Sequence, residues 1–194
     1  MKNSAGLYLL LVIGPIFILN GCGKDDDDDD DNNNQTVLVV GQSYRGGKIA
    51  YILQSNDQGY DAKVQHGLIV SASDLGTMIT WSNGSFITTG ATGADIGTGN
   101  ANTNKIVSSQ GTGNYAARLC YDLVSGGYSD WYLPSSGELY ELYLNKSAIG
   151  IPEEEWWSST EFSPEGATSI YFGNGSSLPT FKDFNTRVRA VRSF

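Results

Sequence analysis

The sequence predicts an α+β domain of short antiparallel strands and two to three helices, spanning residues 36–194. Strand-like segments stand at both ends of that stretch with helical patterning between them, unlike the strict alternation of a parallel-sheet protein. Glycine is abundant (24 of 194 residues) and only 17% of residues are charged, which favours short strands and many turns over a helical bundle. One segment also carries an explicit helix start.

Residues 36–40 and 48–53 read as strands joined through glycines 41, 46 and 47. Residues 68–70 and 78–81 are two more, each bounded by turn residues. Residues 88–99 form a glycine-threonine loop with too little apolar content to pack by itself. From Asn102 the period changes: Ile106, Val107, Ala116, Leu119, Cys120 and Leu123 suit a helical face, with Gly111 and Gly113 placed to break it. Pro134-Ser135-Ser136-Gly137-Glu138 then precedes Leu139, Leu142 and Tyr143, spaced i, i+3, i+4. Ser135 can cap the Glu138 amide while the Glu138 side chain reaches back, which predicts a helix over 136–144. Strands at 156–160, 168–172 and 187–192 close the chain.

The start of the chain does different work. Lys2 supplies a positive charge, an apolar run follows from Ala5 to Leu19, and Leu19-Asn20-Gly21-Cys22 puts a small residue before a cysteine. Fifteen apolar residues are too few to span a membrane as a helix, which takes about 20, but they suit a secretory signal over 1–21. The ending resembles a lipobox, which implies cleavage before Cys22 and acylation of its thiol. Residues 22–35, with seven consecutive aspartates at 25–31, then form a self-repelling, disordered tether. A lysine and acids just after the cysteine resemble a lipoprotein surface-export signal. The expectation is a lipid-anchored outer-membrane protein displayed on the cell surface, its membrane contact made through acyl chains.

The net charge of −9 belongs mostly to that tether. From Asn32 onward there are 14 acids and 10 bases, a balance with no basic field for nucleic acid. There are two cysteines. With Cys22 lipidated, Cys120 has no partner, and a buried inert thiol is its expected state.

Gly126 to Ser135, then Glu138-Leu139, Trp157-Ser158-Ser159-Thr160-Glu161 and Val188-Arg189-Ala190-Val191-Arg192 occur in an order that resembles the C-terminal domain of bacterial collagen-like adhesins. The resemblance runs from about Gly47 to the C-terminus. It implies a compact C-type-lectin-like or formylglycine-generating-enzyme-like fold whose first and last strands pair, and binding of sulfated glycans or host matrix. Collagen-like repeats are missing, so trimeric avidity does not carry over. Trp131, Leu133, Pro134, Ser135, Glu138 and Trp157 read as architecture.

For chemistry the residues offer little. His66, the one histidine, lies apart from Cys120. Carboxylates adjoin at Glu153-Glu154-Glu155 and pair with spacing at Asp130 and Glu138, but a glycosidase needs a fixed separation between two of them. The formylglycine activity needs paired cysteines. Asp95, Asn100, Asn102 and Asn104 supply oxygen donors of the kind calcium accepts, with one charge and no EF-hand spacing. No metal, no cofactor and no enzymatic activity are therefore expected. Exposed aromatics with hydrogen-bonding neighbours mark the candidate ligand surface: Trp81 with Asn83, Trp156, and the loop from Asn174 to Phe184. Because neighbouring strand residues face opposite ways, at most one of Trp156 and Trp157 is expected in the core. Arg187 and Arg189 share a face that could meet a sulfate, or pair with acids. The leading expectation is a non-enzymatic module binding glycan or an extracellular protein. A structural envelope lipoprotein without small ligand, and a carbohydrate-active enzyme, are the alternatives.

Overall fold

A computed structural model describes residues 37–194. The leader at 1–21, Cys22 and the acidic segment at 22–35 lie outside the described residues. The elements are, in order, β1 (Ser43–Tyr44), β2 (Gly47–Ile52), β3 (Gly67–Ser71), β4 (Gly76–Ile79), α1 (Gly99–Gln110), α2 (Ala116–Tyr121), α3 (Ser136–Leu144), α4 (Lys146–Ile149), β5 (Glu155–Glu161), β6 (Gly166–Tyr171), β7 (Ser176–Phe181), β8 (Thr186–Val188) and β9 (Val191–Ser193). The fold is α+β.

Two sheets form, ordered β1-β2-β3-β9 and β4-β8-β5-β6-β7. All pairs are antiparallel except β5 with β8. The last strand pairs with β3, while the first strand, β1, stands at the far edge of that sheet. The pairing of first and last strands implied by the resemblance is therefore replaced by β3 with β9.

Strand alternation splits the core in two. Ile69 of β3, Trp157 of β5 and Ala167 of β6 point into one cluster with Trp81, Ile106, Tyr115, Cys120, Trp131 and Leu133. Leu68, Val70, Trp156 and Ile170 point into the other with Tyr132, Leu139, Leu142, Ile149 and Phe172. Helices α1 and α2 cover the first side, α3 and α4 the second. Trp156 and Trp157 do face opposite ways, yet both are fully buried. The limit of one core tryptophan there is corrected, because it assumed that one face of β5 was open. All four tryptophans are buried, and each indole N–H donates to a backbone carbonyl, those of Ser158, Ser125, Pro152 and Ile79 for Trp81, Trp131, Trp156 and Trp157 respectively. That pairing removes the penalty a buried polar handle would carry.

Local chemistry sets the element ends. Arg45 and Gly46, with φ of 41° and 89°, make the two-residue turn that suits the twist of the β1–β2 hairpin. Gly111, at φ 70°, ends α1. Ser135 Oγ accepts from Glu138 N at 3.2 Å and Glu138 Oε2 from Ser135 N at 2.8 Å, the complete capping box that starts α3.

Three strand expectations change. Residues 37–40 are irregular: the β1–β2 hairpin occupies that sheet edge, and Leu38 bonds only the Gln65 side chain. The final strand is two, β8 and β9, in different sheets. The break falls at Arg189-Ala190, where Arg189 turns to donate to the carbonyls of Ser71 and Ala72. Residues 176–181, expected as loop, form the edge strand β7. Lys182 N donates inward to Glu165 O at 2.8 Å. By alternation, Pro179 sits where a backbone N–H would point away from β6, so its missing donor costs the ladder nothing.

Candidate functional site

Between Trp81 and α1 the chain runs without helix or strand through residues 82–98. Side chains from distant elements hold it. At its midpoint, the Glu161 carboxylate accepts from Thr89 N and Gly90 N at 2.8–2.9 Å. Glu161 pairs in turn with Lys182 at 2.5 Å, both side chains fully or almost fully buried. Three residues further on, Asn102 Oδ1 accepts from Gly93 N at 3.1 Å and its Nδ2 donates to Gly93 O at 2.6 Å. Near its end, Glu138 Oε1 accepts from Gly97 N at 2.9 Å and from the Tyr132 hydroxyl at 3.3 Å. Ser135 Oγ and Gly137 N then donate to the carbonyls of Asp95 and Ala94.

The two buried carboxylates are held differently. Burial pushes Glu161 up, but the hydrogen bond from Lys182 and those from the Thr89 and Gly90 amides outweigh it and leave the group below the ordinary glutamate range. Burial also pushes Glu138 up, and there the amides of Ser135 and Gly97 and the Tyr132 hydroxyl only partly offset it, so it ends above that range.

Docking the end of the loop onto the start of α3 opens a cleft of about 430 Å³ lined by Asn56, Asp57, Gln58, Ala94, Asp95, Ile96, Gly137, Tyr140 and Glu141. That volume lies within the range of small-ligand sites. Tyr140 is 43% exposed and is backed by rings that lead to the core. Its centroid is 5.5 Å from Tyr143, Tyr143 is 5.8 Å from Phe172, and Phe172 is 5.8 Å from Trp156. Asp57 accepts from the Tyr51 hydroxyl at 2.7 Å, which fixes its direction. Burial, and then the Asp57 charge, raise the Glu141 pKa. The cleft offers one aromatic wall, three carboxylates and two amides. Such a surface can stack on the apolar face of a sugar ring and hydrogen-bond its hydroxyl or amino groups, and it disfavours anions.

The residues singled out in the sequence do not converge there. Trp81 and Trp156, expected as exposed aromatics, are core residues that present no ring face to solvent. Asn83 is exposed, but its amide is spent on the carbonyls of Gln110, the last residue of α1, and Thr112 just after it. Asn174 is exposed and accepts from Ser176 N in the β6–β7 turn. Arg187 and Arg189 both bind Asp74, and Arg187 also lies 3.7 Å from Glu154, so the arginine face expected for a sulfate is neutralised. Asn100, Asn102 and Asn104 lie on α1 rather than in a loop. Asn104 donates to Asn100 on the open side while Asn102 turns inward to Gly93, and Asp95 lines the cleft, so these donors do not surround one point. Among the described residues no group of three His, Cys, Asp or Glu side chains could hold a metal ion.

The carboxylates weighed for catalysis also disperse. Asp130 takes a two-pronged bond from Arg192 at 2.7 Å on each side, while Glu138 is turned into the loop. Glu153 pairs with Lys146 and Glu155 accepts from Ser169 and Thr180. Burial pushes the Cys120 thiol well up, away from nucleophilic character. Sequence reasoning missed Asn56, Asp57, Gln58, Tyr140 and Glu141. Tyr140 carried a signal: it falls off the stripe of Leu139, Leu142 and Tyr143, so the α3 pattern itself turns it to solvent.

No protein-family model and no curated protein matches the chain. Among solved structures, it is similar to a fimbrial protein from Bacteroides ovatus, with 15% identity and a TM-score of 0.48 over 75% of this chain. The chain spans 43% of that protein's length. A likeness of this degree carries no argument about function.

Proposed function

We propose that this chain is a lipid-anchored envelope protein displaying a non-enzymatic binding domain of the collagen-like-adhesin C-terminal type. Its ligand is a neutral or amino-bearing glycan taken up in the cleft beside α3. The cleft carries the reading: an exposed tyrosine on a braced aromatic stack faces carboxylates and amides across a volume sized for one or two sugar rings. The anchoring half rests on the leader and Cys22. An acid-lined cleft and arginines already paired to Asp74 favour uncharged or amine-bearing sugars over the sulfated ones the resemblance implies. The dispersal of Asp130, Glu138 and the Glu153–155 run supports binding without turnover.

A glycan array probed with the detergent-solubilised full chain tests this. Binding to neutral or amino glycans, lost in Tyr140→Ala and Glu141→Gln at unchanged melting temperature, is the expected result. Silence on those glycans, or binding confined to sulfated ones, overturns the ligand assignment. Mass spectrometry finding an unmodified Cys22 overturns the anchoring.

A further inference from the structure

Away from the cleft, the Lys182 ammonium ties three chain segments together. It donates to Ile87 O at 2.9 Å, to Pro164 O at 2.7 Å and to Glu161 Oε1 at 2.5 Å, and its side chain is fully buried. Each tied segment carries exposed phenylalanine. Phe86 precedes Ile87, Phe162 follows Glu161, and Phe181 and Phe184 flank Lys182. Their exposures are 48, 55, 68 and 56%. Two of the rings share a face. A side chain at Gly166 would fall 2.3 Å from the Phe162 ring, and Gly166 is the cross-strand partner of Phe181. Phe184 N donates to Phe181 O, which closes the turn beside them.

A buried ion pair is a costly way to close a hairpin tip. Here it fixes the backbone under apolar rings that the core does not use. Ordering such rings in advance lowers the entropy lost on docking, and aromatic side chains dominate the energy of protein contacts. The exposed charges on these segments are Glu165 and Asp183. Neither enters an ion pair among the described residues, and the one cation there is buried. Acids at the rim and rings at the centre complement an apolar surface with a basic border, and they repel an anionic lipid surface.

We propose that the phenylalanine-bearing end of the five-stranded sheet, built on Phe162, Phe181 and Phe184 and held by the Lys182–Glu161 pair, is a docking platform for a protein segment combining aliphatic and basic side chains. The platform is separate from the cleft and does not depend on what the cleft binds.

Fluorescence anisotropy with the full chain provides the test, using two short labelled peptides, one of alternating leucine and lysine, the other of alternating leucine and glutamate. The leucine–lysine peptide binds saturably and the leucine–glutamate peptide does not. Phe162→Ser with Phe181→Ser weakens binding about tenfold or more, while Tyr140→Ala leaves it unchanged. Glu165→Lys with Asp183→Lys shifts the preference toward the glutamate peptide and serves as the second variant should the phenylalanine pair prove unstable. The seven aspartates of the N-terminal segment are the same in every variant, so a loss traces to the platform. No binding, equal binding by the phenylalanine variant, or loss in Tyr140→Ala each overturns the proposal. So does phenylalanine-dependent flotation with phosphatidylcholine–phosphatidylglycerol vesicles, or a dimer in ultracentrifugation that the phenylalanine variant abolishes, since the occupant is then lipid or a second copy.

Discussion

The middle and the end of the 82–98 loop are fastened by the same kind of group under opposite electrostatics. In the middle Glu161 has a lysine. At the end Glu138 has only amides and a phenol. The first carboxylate is held ionised below its ordinary range and the second is pushed above it. A full set of neutral donors can satisfy a buried carboxylate geometrically without supplying the opposite charge that burial demands.

The largest test of this contrast is to break the ion pair. Lys182→Met alone strands a buried carboxylate, and Glu161→Gln alone strands a buried ammonium. Each costs about 3–5 kcal/mol, a fall in Tm of roughly 10 °C for a domain of this size. The double variant recovers much of the loss in thermal melts. A double variant no better than the singles would mean that the hydrogen bonds, not the charges, hold this part of the loop. Next comes Glu138→Gln. Its amide nitrogen meets either the Ser135 or the Gly97 N–H, an unpaired contact worth about 1–3 kcal/mol. Hydrogen exchange quickens at Gly97 while Thr89 and Gly90 stay protected.

A third test uses pH. Glu161 binds its proton more weakly in the folded state, so its contribution is present above the ordinary carboxylate range, about pH 4.3, and is lost as pH falls through its lowered value. Glu138 binds its proton more tightly when folded, so the folded state holds the extra proton between about pH 4.3 and its raised value, and stability falls as pH rises through that window. Chemical denaturation against pH therefore loses the acid-side slope in the Glu161→Gln, Lys182→Met pair and the opposing slope in Glu138→Gln. The smallest effect is Tyr140→Ala. An exposed ring at the cleft mouth changes stability by about 0.5 kcal/mol or less, so a larger Tm shift would make Tyr140 a packing residue.

What the sequence made legible was local. The capping box of Ser135 and Glu138 and the stripe behind it placed α3 at its observed ends, and Gly111 stopped α1 where its backbone freedom was needed. What it hid depended on partners far along the chain. Loop 82–98 is too polar to pack, and is held by residues 72 positions away at Thr89–Glu161 and 41 away at Gly97–Glu138. Trp156 and Trp157 could not both be placed in the core until both faces of β5 were seen to be covered. Strand β7 exists because β6 pairs with it, and its serines and proline gave no sign of that. The cleft follows the same rule: Asn56–Gln58, Asp95 and Tyr140 meet only after the loop is fastened.

Pro179 has a consequence beyond its own strand. Many copies of one polypeptide confined side by side at high local density risk growing into fibrils wherever one molecule's open rim can template the next. The imide nitrogen at that rim carries no hydrogen to share, so the zipper between neighbours stalls in mid-strand. This arrangement allows crowding without polymerisation.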